Sequence, residues 1–445
     1  MKLLTARKES RKKIKFKTVT LKDGREIIGL VSKKVDTVTV ITEKKETIEF
    51  SKDDIVSETD TYNPFEKAVW DGLQLAYKVT ANSLYGQIGA STSPIRWIDI
   101  AASTTATGRN LLHSASQFVL DNYQGRDFKD YYIKSSQIVY GDTDSIFVKF
   151  DIFEDSSCIK KIIGKEALRR SIDICVDVEH KFQKKLKAPH NLEYEKHFFP
   201  FILFSKKRYV GNKYEFDINK YKQTSMGIVL KRRDNAQLVK VVYGGIIDII
   251  MNQQDIKASI NFLQRSLRDL IFGKFPMEKL IITKSLRGFY KDPERIAHKV
   301  LADRMGERDP GNKPKANDRI PYVYVDTGGK KVALQGDRIE HPDYIRENKL
   351  KPDYNFYITN QILKPVCQIY GLIVEQLSGF RQESNYYEKQ YKKLIRDGKE
   401  ESKAKEKIRS MREKMAKELL FDPVIDQVER SKASSMWSKF GFTVK

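Results

Sequence analysis

The hydrophobic period of the chain changes twice within its first 90 residues, and this limits the possible folds more than any other feature. Residues 1–16 are spaced for a helix: Leu3, Leu4 and Ile14 are apolar, while Arg7, Lys8, Arg11, Lys12 and Lys15 recur near helical intervals. Between Thr18 and Ser57 the pattern becomes short β-branched runs, TVTL, REIIGLV, DTVTVIT and ETIEF, divided by Asp-Gly and charged turns. This predicts a small β-barrel or meander over 17–63. From Pro64 the helical period returns in PFEKAVWDGLQLAYKVTANSLYGQIG, with Pro in its first turn and Gly86 and Gly89 closing it. A β module between two helices is expected.

Downstream, a helix around Asp99 to Asn122 leads to IVYGDTDSIFVKF, Ile138 to Phe150, two apolar runs about a tight turn. SIDICVDVEHKFQKKL then reads as an amphipathic helix, and LEYEKHFFPFILFSKKRYVGNKYEF as strands. Helix, hairpin, helix and strands predict an α+β sheet domain. After about Asp234 the pattern is mainly helical, with helices expected at 235–252, 255–271 and 354–376 and charged helices from Gln382 to Leu420. A chain of 445 residues exceeds one hydrophobic core, so about two to four compact units are expected.

With 82 Lys and Arg against 59 Asp and Glu, the formal charge is +23. Such a surplus repels itself unless a polyanion is the usual partner, which points to nucleic acid and leaves the chemistry open. Charged residues at 32% and hydrophobic ones at 40% argue against general disorder and against a membrane protein. No apolar run approaches the ~18 residues of a membrane span, and MKLLTARKESRKKIKFK lacks the apolar core of a signal peptide. Cys158, Cys175 and Cys367 have no paired spacing, so neither a disulfide framework nor a four-cysteine zinc site is expected, and a reducing, intracellular compartment is.

Asp142 and Asp144 sit two residues apart at the hairpin turn. A solvated tip accounts for them locally. An EF-hand loop needs further ligands at its fifth, seventh and twelfth positions, but Ser145 to Phe150 turns apolar at once. An acid and base pair needs one carboxylate with a raised pKa, for which nothing nearby on the chain argues. A two-metal phosphoryl-transfer site asks only for carboxylates bridging magnesium ions, with water and substrate phosphates as the remaining ligands. Cations to match lie on two helices. Lys78, Asn82 and Tyr85 share one face, with Gly86 beside them, and Arg7 and Arg11 are one turn apart on the first helix. Each helix alone also reads as an ordinary amphipathic surface.

KVTANSLYG resembles the fingers-helix motif of B-family DNA polymerases, and YGDTDS resembles the palm motif that supplies their metal-binding aspartates. KKRYVG, Lys206 to Gly211, is similar to their primer-contacting segment. In the same order as in the family, LLTARKESRKKIK resembles the first fingers helix and GIVLKRRDNAQLVK the approach to the thumb. RMGERDPGNKPKANDRIPYVYV and PDYNFYITNQILKPVCQIYG resemble thumb signatures. The resemblance implies a right-hand architecture: fingers helices at 1–16 and 64–90 around the insert at 17–63, a palm at 91–233, and a thumb with charged helices at 234–445. It implies that Arg7, Arg11 and Lys78 bind the incoming deoxynucleoside triphosphate with support from Asn82. Tyr85 would pack beneath the nascent base pair and exclude a ribose 2′-hydroxyl. Asp142 and Asp144 would face two Mg2+ ions, and Lys206, Lys207, Arg208 and Tyr209 would hold the primer-template DNA.

The family's other palm aspartate belongs to a D-F-x-S-L-Y-P-S segment, and none occurs in these residues. The expectation is a polymerase fragment, inactive or nearly so alone, without the exonuclease domain and completed by a complementary amino-terminal chain. The alternative is a catalytically inactive, polymerase-derived DNA-binding protein. The cysteine clusters that follow the thumb in cellular replicative members are absent, which suggests a viral or mobile-element relative acting in the nucleus or at a viral replication site. The insert reads equally as a partner-binding module or a tolerated insertion.

Overall fold

In the computed structural model, which describes residues 2–33, 37–44, 46–231, 234–328, 334–427 and 430, the first helix is Lys2–Lys13 (α1). Five strands follow: Lys17–Leu21 (β1), Glu26–Lys33 (β2), Thr37–Thr42 (β3), Thr47–Ser51 (β4) and Ile55–Asp60 (β5). They form one antiparallel sheet in the order β4-β3-β2-β1-β5, so β1 lies between its sequence neighbour and the last strand. Val19, Leu21, Val38 and Val40 make its core, with Ile27, Val31, Phe50 and Ile55 packed against them. At Gly29 the strands approach so closely that a Cβ would stand 2.4 Å from the Ile41 carbonyl oxygen. The neck of the module is tied where the helices meet it. Thr61 N–H donates to Phe16 O at 3.2 Å, and Asp60 takes both Lys17 at 2.7 Å and Lys67 at 2.5 Å. Those two ammonium groups pull the Asp60 carboxyl down to about 2.

Pro64–Gly89 (α2) starts at a capping box: Asn63 Oδ1 accepts from Glu66 N–H at 2.9 Å and Glu66 Oε2 from Asn63 N–H at 3.0 Å. Its partner is α1, which runs antiparallel to it. Arg7 Nε meets Gln74 Oε1 at 3.5 Å, and the Lys13 ammonium lies 4.5 Å over the Trp70 ring. Ile98–Asn122 (α3) follows after a sharp turn in which Trp97 N–H donates to Ile88 O at 2.8 Å. Arg126–Phe128 (β6), Tyr131–Asp142 (β7) and Ser145–Phe153 (β8) form a second antiparallel sheet in chain order, and Gly164–Gln183 (α4) completes the unit. Ala115, Phe118, Val119, Tyr131, Ile133, Ile152, Ile174, Val178 and Phe182 join α3, α4 and this sheet in one core.

The chain divides into two compact units, Met1–Tyr194 and Glu195–Lys445, so the stretch expected as one palm, 91–233, contributes to both. In the second unit, His197–Ser205 (β9), Arg208–Tyr214 (β10) and Tyr221–Met226 (β11) form an antiparallel sheet with β10 central. Gln237–Asp248 (α5), Ile256–Ile271 (α6) and Met277–Leu280 (α7) lead to Ile282–Ser285 (β12), Ala297–Arg308 (α8), Arg319–Tyr324 (β13) and Ile339–Glu340 (β14). β12, β13 and β14 make a further small sheet. The unit ends with Pro342–Glu347 (α9), Tyr354–Phe356 (α10), Leu363–Tyr370 (α11), Tyr386–Arg396 (α12) and Glu401–Leu420 (α13). Its core runs from Val239, Val242 and Ile246 through Leu263, Leu267, Leu301 and Val323 to Tyr357, Val366, Tyr370 and Phe421. Two of its buried hydroxyls are paired, Tyr357 donating to Leu280 O at 2.8 Å and Tyr370 to Ser259 Oγ at 2.9 Å, whereas the buried Tyr387 hydroxyl has no hydrogen-bond partner among the described residues.

The expected helix at 354–376 is an α-helical turn, a π-type segment at Tyr357–Ile362, α11 and a 3₁₀ turn. The helix expected from Ser171 begins at Gly164, whose φ of +68° sets the turn into it. No helix among the described residues is long and apolar enough to cross a membrane.

Candidate active site

The Asp142 and Asp144 pair occupies the tip of the β7–β8 hairpin. Asp142 pairs with Ser145, leaving Thr143 and Asp144 as a two-residue loop. Asp144 N–H closes back on Asp142 O at 2.6 Å, and Thr143 takes a φ of +53°. A β-branched residue at positive φ is strained by roughly 1–2 kcal/mol, so the turn is held by its surroundings. Thr143 Oγ1 is 3.2 Å from Asp142 Oδ1, and Ser145 Oγ donates to Asp142 O at 3.2 Å. Asp142 is half-buried, whereas Asp144 is exposed and its carboxylate has no hydrogen-bond or ion-pair partner among the described residues. Elsewhere in the same hairpin, Asp151 accepts from Lys161 at 2.5 Å and from Ser135 at 2.8 Å, and the Lys161 ammonium holds its carboxyl below the usual range.

In a chain with 82 Lys and Arg, a carboxylate left unpaired on a rigid turn is available to a cation from solution. The donors are hard oxygens, as magnesium prefers. Two carboxylates are fewer than a two-metal site needs, and no group of three or more His, Cys, Asp or Glu that could hold a metal occurs among the described residues.

Lys78, Asn82 and Tyr85 are all exposed on α2. The antiparallel pairing puts Arg7, half-buried, beside Gln74, which is one turn (about 5 Å) before Lys78. Arg11 is exposed and lies a further turn toward Trp70. Arg7 and Lys78 therefore sit on neighbouring turns of a two-helix arm, with Arg11 farther along it.

In the second unit, Lys206 and Lys207 form the two-residue turn between β9 and β10, since Ser205 pairs with Arg208. Both are exposed, and Lys207 takes a φ of +59°. The other two residues of this motif face inward. Arg208 Nη2 donates to Gln368 Oε1 at 2.7 Å, and Tyr209 is buried with its ring 5.8 Å from Phe198 and 5.5 Å from Phe201. They brace the turn that presents the two lysines. Sequence reasoning missed Gly227, which braces it from the other side: its φ is +62°, and a Cβ there would stand 2.2 Å from Lys207 O. The Gly before a β-branched and apolar pair was visible in GIVL, but its neighbour across the sheet was not.

An unpaired carboxylate on a strained turn, a cationic helix arm and a basic turn are the equipment of a protein that handles phosphate esters. Comparison with known proteins makes the class specific. Residues 51–373 match the model of DNA polymerase family B, and the chain belongs to that family. It is 54% identical to the DNA polymerase of Pyramimonas orientalis virus over 427 residues, 96% of this chain and 34% of that protein. It is 47% identical over 243 residues to the DNA polymerase of Acanthamoeba polyphaga mimivirus, covering 54% of this chain and 14% of that one. The DNA polymerase delta catalytic subunit of Candida albicans is 34% identical over 320 residues, 72% of this chain and 29% of that subunit. Higher identity to the two viral proteins supports a viral origin. The chain spans about a third of the length of the first of these relatives and less of the other two.

Proposed function

We propose that these residues form the nucleotide-selecting, metal-binding and primer-holding parts of a DNA-directed DNA polymerase. The α1–α2 arm takes the role of fingers, the β7–β8 hairpin with its helices that of the palm, and the helical second unit that of the thumb. The observation that carries the reading is the exposed, unpartnered Asp144 carboxylate on its strained turn beside Asp142. Magnesium bound there would neutralise phosphate charge and favour the alkoxide form of a primer 3′-hydroxyl. Lys78 and Arg7 hold the triphosphate by its charge, and Asn82 and Tyr85 bound the base and sugar. Arg11 guides the triphosphate onto the arm, and Lys206 and Lys207 grip the primer backbone. The reaction is in-line attack of the 3′-oxygen on the α-phosphorus with pyrophosphate leaving. The remaining carboxylate comes from a D-F-x-S-L-Y-P-S segment outside these residues, on the same polypeptide or a complementary one.

The test is primer extension with magnesium and four deoxynucleotides, using these residues alone and together with, or extended by, a polypeptide that carries such a segment. Extension is expected only in the second case, and Asp144→Asn should abolish it while leaving duplex affinity unchanged or slightly tighter. Undiminished extension by that variant overturns the metal assignment. Failure of every combination to extend, with salt-sensitive DNA binding retained, leaves a polymerase-derived binding protein.

A further inference from the structure

We infer that two adjacent loops of the second unit, around 284–291 and 313–318, form a contact for a single DNA strand, with cations on its phosphates and the Phe289 ring stacked on an unpaired base. The inference deepens the reading of the chain as a polymerase, since it adds a hold on unpaired template or displaced strand.

Past the end of β12, Leu286 N–H donates to Asp318 O at 2.8 Å and Asn317 N–H to Leu286 O at 2.9 Å. A Cβ on Gly288 would lie 3.9 Å from that of Ala316, so the loops run side by side. The first is fixed from within. Leu286 is buried, and the Tyr290 hydroxyl accepts from Arg287 N–H at 2.8 Å while lying 3.1 Å from His298 Nε2. Between these inward anchors Phe289 is 82% exposed. A loop fixed by these hydrogen bonds thus presents a large apolar ring to water, outside the core of its unit.

Lys284, Arg287 and Lys291 lie on the same loop as that ring and Lys313 and Lys315 on the loop beside it, all exposed and none in an ion pair among the described residues. Cations on the α12 and α13 surface are mostly matched, as in Lys392 with Glu388 at 2.7 Å, Lys405 with Glu401 at 2.5 Å and Lys417 with Asp422 at 2.9 Å. The acids near the loops balance their charge only in part. Asp318 accepts from the Lys315 backbone N–H at 2.7 Å and keeps its charge, so with the exposed Asp292 and Glu294 three carboxylates stand against five cations. The resulting field reaches inward: burial first, then Lys284 and Arg287, hold the His298 imidazole below its usual pKa.

An aromatic face among unpaired cations suits a strand with free bases. In a duplex the base faces are already stacked, so reaching one costs an unstacked step, whereas an unpaired base offers its face at no such cost.

The test uses the full chain, a fluorescent single-stranded oligonucleotide and a blunt duplex, each titrated across salt. Phe289→Ala should bind the single strand about tenfold or more weakly and the duplex as before, with an unchanged melting temperature. Arg287→Ala with Lys291→Ala should reduce the slope of log affinity against log salt by about 1.4 on the single strand, at ~0.7 per cation. Unchanged single-strand affinity in Phe289→Ala, or equal losses on both DNAs, overturns the inference. Asp144→Asn separates the two readings: it should leave single-strand binding intact. Extension that survives in a completed enzyme while Phe289→Ala binds normally sinks only this inference, and the reverse pattern sinks only the polymerase reading.

Discussion

Replacing Gly227 with alanine should displace the Lys206–Lys207 turn, and the size of the effect follows from two numbers. Gly227 has a φ of +62°, where an L side chain costs roughly 1–2 kcal/mol. The new Cβ would stand 2.2 Å from Lys207 O and 3.1 Å from Arg208 Cγ. An ordinary carbon-to-oxygen contact is about 1 Å longer than the first distance, so the turn must retreat by about that much, and forced rearrangements of this kind cost about 1–3 kcal/mol. The sum is about 2–5 kcal/mol, with the lower end favoured because the lysines are exposed and can move. Movement also loosens the Arg208 guanidinium, whose Nε donates to Gly227 O at 3.4 Å. A misplacement of about 1 Å in a positioning element costs on the order of 10²-fold in rate. Thermal unfolding of the chain and primer extension by the completed enzyme read the two consequences. A Gly227→Ala protein that melts and extends like the parent would refute the close-contact reasoning. Lys207→Ala is the control: it should weaken primer binding without lowering the melting temperature.

Thr143→Gly should relieve the positive φ at the carboxylate turn and raise stability by about 1 kcal/mol after the larger backbone entropy of glycine is subtracted, while extension then demands more magnesium; a fall in melting temperature would mean the Thr143 hydroxyl bond outweighs the strain. His197 predicts an acid-sensitive second unit. Burial lowers its folded pKa from 6.5 to about 4, so the unfolded chain takes up a proton first and stability declines as the pH falls from about 6.5 toward 4, levelling below that. The full shift corresponds to about 3 kcal/mol, and partial exposure of the ring makes 2–3 the expected loss. Denaturant unfolding across this range should show it, and His197→Leu should flatten the profile; a His197→Leu protein with the same acid sensitivity would place its origin elsewhere.

Elements specified by local signals were legible in the sequence. The Asn63-Pro64 start of α2, the β-branched runs of the insert and the apolar arms of the β7–β8 hairpin all carry their instructions within a few residues. What could not be read depends on distant partners. β12 and β13 are joined across more than 30 residues and β14 is only two residues long, so no run of alternating residues announces that sheet. Arg208 reaches Gln368, 160 residues away, which is why a motif that reads as four surface contacts resolves into two exposed lysines and two internal braces.

The candidate sites depend on the same distinction between residue type and residue pairing. A sequence shows that a carboxylate or an ammonium exists, and pairing at helical spacing is partly visible, as in Glu401 and Lys405. It does not show which charges the fold leaves over. Asp151 and Asp144 belong to one strand pair and are alike in type, yet Lys161 and Ser135 occupy the first, while the second has no side-chain partner among the described residues. Likewise the charged helices near the carboxy terminus look the most nucleic-acid-like by composition, but much of their charge is internally matched. The loop cations around Phe289 are fewer and unmatched. If binding follows unpaired charge, neutralising two of those loop cations must reduce the salt slope more than neutralising Lys392 and Lys405 does. An equal reduction from both pairs would mean that gross charge governs binding and that the pairing seen in the fold is irrelevant to it.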